Sequence, residues 1–190
     1  MSSELRTNTI VPASGANLTL GGSGDTIEFA SGTTVSGLSA GKVLQVVSSM
    51  MTGSASTSST SLVTTGLEGT ITPSATSSKI LISISFAMAA AGGDAAPWIQ
   101  LYKDSSVVSG SLADVQGSRR QSSVGMAYNA AQSTAFNYLD SPSTTSATTY
   151  KLMYACLNSS QTLYMNLMST GDSTSYFTSP ATMILMEIEG

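Results

Sequence analysis

Side chains that commonly carry catalysis are scarce in this chain of 190 residues, which has no histidine, one cysteine, eleven carboxylates and seven cations. The lack of histidine removes the Ser-His-Asp and Cys-His nucleophilic systems, the most common general base and the most common zinc ligand. The nearest glycine-rich stretch, GGSGD at 21–25, precedes no helical pattern and lacks the lysine of a phosphate loop. We therefore predict a protein that is not an enzyme and that uses no cofactor and no metal.

The carboxylates and the cysteine leave a few alternatives open. A pair such as Asp94 and Asp140 would suit a glycosidase if the fold brought the two together. Calcium sites need clustered Asp and Asn residues, whereas GGD (92–94) and GDS (171–173) are isolated and favour turns. Cys156 lies in the apolar run YKLMYACL, which indicates a buried small hydrophobic residue; an intermolecular disulfide or a reactive thiol is the alternative.

Aromatic and arginine residues in polar connections are the remaining candidates for function, because such residues are enriched in recognition surfaces. Trp98 follows Pro97 and a glycine-rich loop, and its alternative role is packing at a strand end. The predicted receptor-facing residues are Trp98, Arg119, Arg120, Tyr128, Tyr176 and Phe177.

The charge pattern excludes two classes of partner. The net charge is −4, and Arg119-Arg120 is the one adjacent pair among scattered cations, whereas binding of a phosphate backbone needs a clustered basic face. No apolar run approaches the roughly 18 to 20 residues that span a bilayer. The N-terminus, MSSELRTNTI, also lacks the layout of a signal peptide. We expect no nucleic-acid binding, no membrane insertion, and synthesis in a cytoplasm, with release by a route such as lysis.

The composition indicates a β-protein coated with hydroxyl groups. Charged residues make up 9% of the chain and hydrophobic residues 41%, while soluble domains usually have about 25% charged residues. Residues 79–88 (KILISISFAM) alternate apolar and small polar side chains with a period of two, which is typical of a strand with one buried face. Similar segments, with turn residues between most of them, lie at 42–47, 62–71, 97–104, 134–140, 148–158, 161–168 and 181–189. They predict an antiparallel β-sandwich or jelly roll, and NSSQ (158–161) predicts a tight hairpin.

The first 40 residues differ from the rest of the chain. Short apolar segments recur there about every eight residues between Gly, Ser and Ala turns, and none is long enough to form an independent sheet. Three chains wound together would bury them, whereas a flexible linker is the alternative. The predicted organisation is a stalk segment at 1–40 followed by a β-sandwich head at 41–190.

The last strand is apolar on both faces. Met183 and Leu185 point one way, and Ile184, Met186 and Ile188 point the other, although alternation alone does not say which face is internal. A strand of this kind must be covered on both sides. We therefore predict an oligomer with Ile184, Met186 and Ile188 as the candidate trimer interface.

The order of several segments resembles that of fibre-type virion proteins of marine bacteriophages and cyanophages. These segments are SSELRTNTIVPASGANLTLGGSGDTI, GKVLQVV, TGLEGTITPSATSSKILISIS, YLDSPSTTSATTYKLMYA and ATMILMEIEG. The resemblance implies a homotrimer with a jelly-roll head of the complement-head or tumour-necrosis-factor type. It also implies attachment to other virion proteins through the N-terminal segment, for which Leu5, Ile10 and Val11 are the candidates.

The resemblance leads to two functional expectations. The first is a short trimeric fibre on the virion surface, attached to tail or capsid, whose head binds a glycan or protein of a bacterial host. The second follows from the near absence of a shaft: a capsid decoration or cement protein at a three-fold position that stabilises the particle.

Overall fold

A computed structural model describes Thr26 and residues 41–91, 96–126, 132–167 and 178–190. The chain divides into the units Met1–Leu38 and Ser39–Gly190, and all described residues except Thr26 belong to the second. The predicted stalk segment at 1–40 therefore lies outside the described residues, Thr26 apart, and remains a prediction.

The described residues form β-strands joined by turns, with one short 3-10 turn at Ser109–Ser111. All strand pairings among them are antiparallel, which confirms the prediction of an all-β fold with antiparallel sheets. The strands are β1 (Val43–Met51), β2 (Ala55–Thr57), β3 (Val63–Ile71), β4 (Lys79–Ala91), β5 (Trp98–Lys103), β6 (Ser106–Val107), β7 (Gln132–Asp140), β8 (Thr148–Ala155), β9 (Thr162–Met165) and β10 (Ala181–Ile188).

Two sheets enclose the core. In the six-stranded sheet, the long strand β4 pairs along one edge with β10 and then β9, and along its other edge with β7; β1 and β2 complete the sheet beyond β10 and β9. In the four-stranded sheet the order is β3-β8-β5-β6. Strands that are neighbours in the chain are thus mostly placed in different sheets.

The period-two pattern of β4 decides which side of the six-stranded sheet is internal. Ile80, Ile82 and Ile84 are fully buried, whereas the intervening Leu81 and Ser83 are half-buried on the outside. Side chains of β3, β5, β8 and β10 complete the core, including Leu67, Ile71, Ile99, Leu101, Leu152, Met183 and Leu185. Burial of this apolar surface is the main source of stability for such a fold.

Gly69 allows the two sheets to approach closely. A Cβ atom at this position of β3 would lie 3.2 Å from Leu185 Cδ1 and 3.4 Å from Met183 Sδ on β10. A larger residue would force these core side chains apart, because close-packed interiors accommodate added volume poorly.

The predicted hairpin at NSSQ (158–161) is wrong. Its two flanking strands belong to different sheets, β8 to the four-stranded sheet and β9 to the six-stranded sheet, so the segment crosses between sheets. Cys156 holds the start of this crossing, since its N–H donates to Ser59 O at 2.8 Å and its Sγ donates to Thr57 O at 3.3 Å. The thiol is fully buried, as predicted, and burial raises its pKa.

A buried polar contact joins the two sheets near the end of β7. Asp140 Oδ2 accepts hydrogen bonds from Tyr150 Oη on β8 at 2.7 Å and from Lys103 Nζ on β5 at 2.9 Å. Tyr150 is fully buried, and burial together with the bond to Asp140 raises the pKa of its phenol above the ordinary value. The phenol therefore stays protonated as a donor to Asp140.

Removing this donor should weaken the fold by a small, measurable amount. We expect Tyr150→Phe to lower the free energy of unfolding by about 1.5 kcal/mol, because one hydrogen bond to a charged acceptor is lost while Lys103 remains paired with Asp140. Tyr102→Phe, on the outward side of β5, is the matched control and should change stability by less than about 0.5 kcal/mol. Urea denaturation at fixed protein concentration measures both. If Tyr150→Phe and Tyr102→Phe lower the free energy of unfolding equally, the hydrogen bond between Tyr150 and Asp140 does not stabilise the fold.

Candidate functional site

Trp98, one of the predicted receptor-facing residues, anchors a surface loop at residues 113–121, called the display loop below. Trp98 begins β5 and is half-buried, and its indole Nε1–H donates to the backbone carbonyl of Gln121 at 2.8 Å. Gln100 donates to the same carbonyl at 2.9 Å through Nε2. The Gln121 side chain closes the base of the loop by donating to Ala113 O at 2.7 Å. Three hydrogen bonds at one residue thus fix the end of the loop.

The residues that follow the display loop cover an edge of β5. Ser123 N donates to Ile99 O at 2.8 Å, and the hydroxyl groups of Ser122 and Ser123 accept from the N–H groups of Ile99 and Leu101 at 3.1 and 3.0 Å. An uncovered strand edge is a site for unwanted pairing, so this arrangement both protects β5 and ties the loop to the sheet.

The two adjacent arginines lie in the display loop and are exposed. Arg120 Cζ lies 4.8 Å from the centroid of the Trp98 ring, which is within cation–π distance. Arg119 follows a tight turn in which Gly117 has a φ of 63°, and its N–H donates to Gln116 O at 3.3 Å. The structure thus brings Trp98 and Arg120 together, with Arg119 next to them.

Trp98, which anchors the display loop, lies away from the end of the head that contains Lys42. Lys42 O accepts from Glu189 N at 2.8 Å, so the first and last described residues of the head meet at one end. Lys103 is near that end, because its partner Asp140 pairs with Ile80 at the start of β4. Trp98 lies five residues from Lys103 along β5, or about 17 Å at the usual strand rise.

A second candidate surface is an apolar band on the outer face of the six-stranded sheet. Leu139 pairs with Leu81, Leu81 with Met186, and Met186 with Val46, so one row of apolar side chains crosses β7, β4, β10 and β1. At the usual spacing between strands the row is about 14 Å wide. The apolar band consists of this row and the adjacent residues Ile184 and Ile188 of β10.

The band is exposed in the isolated chain. Val46 is 57% exposed and Leu139 is 48% exposed, and the residues between them are half-buried. The outer face of the four-stranded sheet is different: Thr70 faces Thr149 there, with their hydroxyl oxygens 2.8 Å apart, and Glu68 pairs with Lys151. The two outer faces thus differ in polarity at these positions.

The structure gives the direction that the sequence left open for β10. Met183 and Leu185 point into the core, whereas Ile184, Met186 and Ile188 point outward into the apolar band. Sequence reasoning missed the rest of the row, because the pairing that aligns Val46, Leu81 and Leu139 is set by register between distant strands. Tyr128, Tyr176, Phe177, Leu5, Ile10 and Val11 lie outside the described residues.

Other chemistry has little support in the part of the chain that the structure describes. Asp140, one member of the glycosidase pair considered above, is bonded to Lys103 and Tyr150, and Asp94 lies outside the described residues. No group of three His, Cys, Asp or Glu side chains that could hold a metal ion occurs among the described residues. Nor do those residues contain a helix long and apolar enough to cross a membrane.

Comparison of the chain with protein-family models finds no match. No curated protein matches it significantly either.

Proposed function

We propose that this chain is a structural protein of a bacteriophage virion, a short homotrimeric fibre attached through its N-terminal segment and presenting its β-sandwich head for recognition of the host surface. The observation that carries the proposal is the apolar band. An apolar row that crosses four strands is unfavourable in water, and a second copy of the chain supplies a cover of matching chemistry.

The strand order of the head supports a jelly roll of the kind found in such trimers. If β2 and β9 are set aside, the eight remaining strands divide into a sheet of order β1-β10-β4-β7 and a sheet of order β3-β8-β5-β6. This alternation of strands between two sheets follows from two nested Greek keys. A jelly-roll head with one apolar outer face is suited to packing around a three-fold axis.

The position of the display loop supports the recognition role. Residues 41 and 42, through which the N-terminal segment joins the head, lie at one end of the sandwich, and Trp98 lies toward the other. A trimer attached through its N-terminal segment would therefore present Trp98, Arg119 and Arg120 at the end away from the join. Arginine and tryptophan are the residue types that dominate binding energy at recognition surfaces.

Virus particles that lack the chain provide the test. We expect particles produced without it to assemble and retain their genome, and to adsorb to their host at least ten times more slowly than complete particles. Adding the purified chain in excess should also slow adsorption of complete particles, because it competes for the receptor. Unchanged adsorption, together with loss of genome on mild heating, would contradict this proposal and favour the capsid decoration function.

A further inference from the structure

We propose that the display loop binds the acid group of a surface glycan, a carboxylate or a sulfate, through Arg119 and Arg120. This inference rests on the proposed recognition function and names the class of ligand that the same site would take. A guanidinium group binds such planar or tetrahedral oxyanions through two parallel hydrogen bonds, which an ammonium group does not offer.

The two guanidinium groups are available for a ligand. Among the described residues the one ion pair joins Lys103 to Asp140, and neither arginine is within ion-pair distance of a carboxylate. This includes Asp114, which lies in the same loop. Arg119 makes one long hydrogen bond, from Nη1 to Gln116 O at 3.5 Å. Two neighbouring positive charges that have no counter-charge among the described residues attract an anion.

Arg120 is held in place before a ligand arrives. Its guanidinium lies over the Trp98 ring, and the next residue, Gln121, is fixed by the hydrogen bonds from Trp98, Gln100 and to Ala113. A side chain that is already ordered loses less entropy on binding, so the affinity gained per contact is higher. Trp98 is therefore a positioning residue, which acts on the ligand through Arg120.

The surroundings favour a glycan over a nucleic acid or an acidic protein segment. Two arginines are too few for a phosphate backbone, which requires a row of cations. Residues 113–120 of the display loop are exposed, and all of them except Ala113, Val115 and Gly117 have polar side chains. Isolated acid groups separated by sugar hydroxyls match one arginine pair surrounded by hydroxyl and amide groups.

Binding of the full-length protein to three immobilised polysaccharides tests the inference. Polygalacturonate carries carboxylates, dextran sulfate carries sulfates, and dextran is neutral. We expect binding to at least one acidic polymer, no binding to dextran, and a loss of at least tenfold in affinity in the double variant Arg119→Gln/Arg120→Gln. The matched control, Lys42→Gln/Lys79→Gln, removes the same charge from exposed positions at the other end of the head and should change affinity less than twofold.

A second pair of variants tests the role of Trp98. Trp98→Leu should weaken binding to the same polymer about three- to tenfold, and Trp98→Phe should restore part of it, because an aromatic face still supports Arg120. Equal losses in Trp98→Leu and Trp98→Phe would show that the ring does not position the arginine. The denaturation midpoint of each variant is compared with that of the unmodified protein. An unchanged midpoint shows that the variant is folded and that the loss is a loss of binding.

The outcomes separate this inference from the proposed function. The inference is overturned if neither acidic polymer binds, if dextran binds equally well, or if the lysine control lowers affinity as much as the arginine variant. If the chain competes for adsorption and the arginine variant competes equally well, the recognition function stands and the display loop is not its site. If polymers bind through the arginines but particles adsorb normally without the chain, the site stands and the adhesion function fails.

Discussion

Substitution of Met186 by aspartate should dissociate the proposed trimer into monomers at micromolar concentration. Met186 lies in the middle of the apolar band, paired with Leu81 on one side and Val46 on the other. In the proposed assembly each trimer would bury three new carboxylates in apolar surroundings. An uncompensated charge of this kind costs several kcal/mol, more than most interfaces can absorb.

Two further variants make this result interpretable. Val46→Asp changes a residue that is more than half exposed on the edge strand β1, so the isolated head should tolerate it and the assembly should not. Thr70→Asp places the same charge on the polar outer face of the four-stranded sheet and should leave the assembly intact. The mass of each variant follows from light scattering coupled to size exclusion, and circular dichroism checks that the strands are retained. A folded Met186→Asp variant with the mass of the unmodified protein would rule out the apolar band as the interface.

Substitution of Glu187 by glutamine should lower the free energy of unfolding by about 2 to 3 kcal/mol at neutral pH. The Glu187 side chain is fully buried on the inner side of β10. Its Oε1 accepts hydrogen bonds from the N–H of Ser74 at 2.7 Å and from the hydroxyl groups of Ser74 and Ser78 at 2.6 and 2.7 Å, and Oε2 accepts from Gln45 at 2.6 Å. One carboxylate thus ties β1 and the turn at residues 72–78 to β10. A glutamine would lose the charge and place an amide donor among these donors.

The pH dependence follows from the same contacts. Burial alone raises the pKa of the Glu187 carboxyl, but the hydrogen bonds from Ser74, Ser78 and Gln45 together outweigh burial and lower the pKa from 4.5 to about 2. A lowered pKa stabilises the folded state above pH 4.5, and this contribution is lost as the pH falls from 4.5 through 2. We therefore expect the stability difference between the unmodified protein and Glu187→Gln to narrow over this range.

Thermal unfolding at fixed protein concentration measures both effects, since assembly makes the melting temperature depend on concentration. At neutral pH the expected loss corresponds to about 5 to 10 °C in Tm for a domain of this size. The matched control is Glu189→Gln, an exposed carboxylate two residues along the chain, which should change Tm by less than about 2 °C. If the difference in Tm between Glu187→Gln and Glu189→Gln is the same at every pH between 2 and 5, the assigned role of Glu187 is contradicted.

Strands could be predicted from the sequence wherever apolar and polar side chains alternate along a segment, because this alternation indicates a strand with one buried face. Residues 79–88 illustrate this, because apolar side chains recur every second residue over most of the segment and β4 begins at Lys79. The short strands β2 and β6 were missed because Ser and Thr leave too few apolar side chains in them to show an alternating pattern. The end of β1 was missed for the same reason, as its last residues include the polar pair Ser48-Ser49.

Features that depend on the pairing of distant strands could not be read from the sequence. The hairpin predicted at 158–161 failed because nothing local shows that β8 and β9 belong to different sheets. The acceptor role of Glu187 was invisible for a similar reason, since its donors lie 109 to 142 residues away in the chain. Residue type singled out Trp98 and Arg120 as candidates for recognition, whereas the contact between them required the fold.

The mass of the intact, full-length protein in solution tests the trimeric fibre most directly. Sedimentation equilibrium at micromolar concentration should give three times the chain mass of 19.4 kDa, and the value should stay constant on tenfold dilution. A mass of 19.4 kDa at all concentrations would contradict the account, because the apolar band would then remain uncovered and no three-fold assembly would exist to present the display loops.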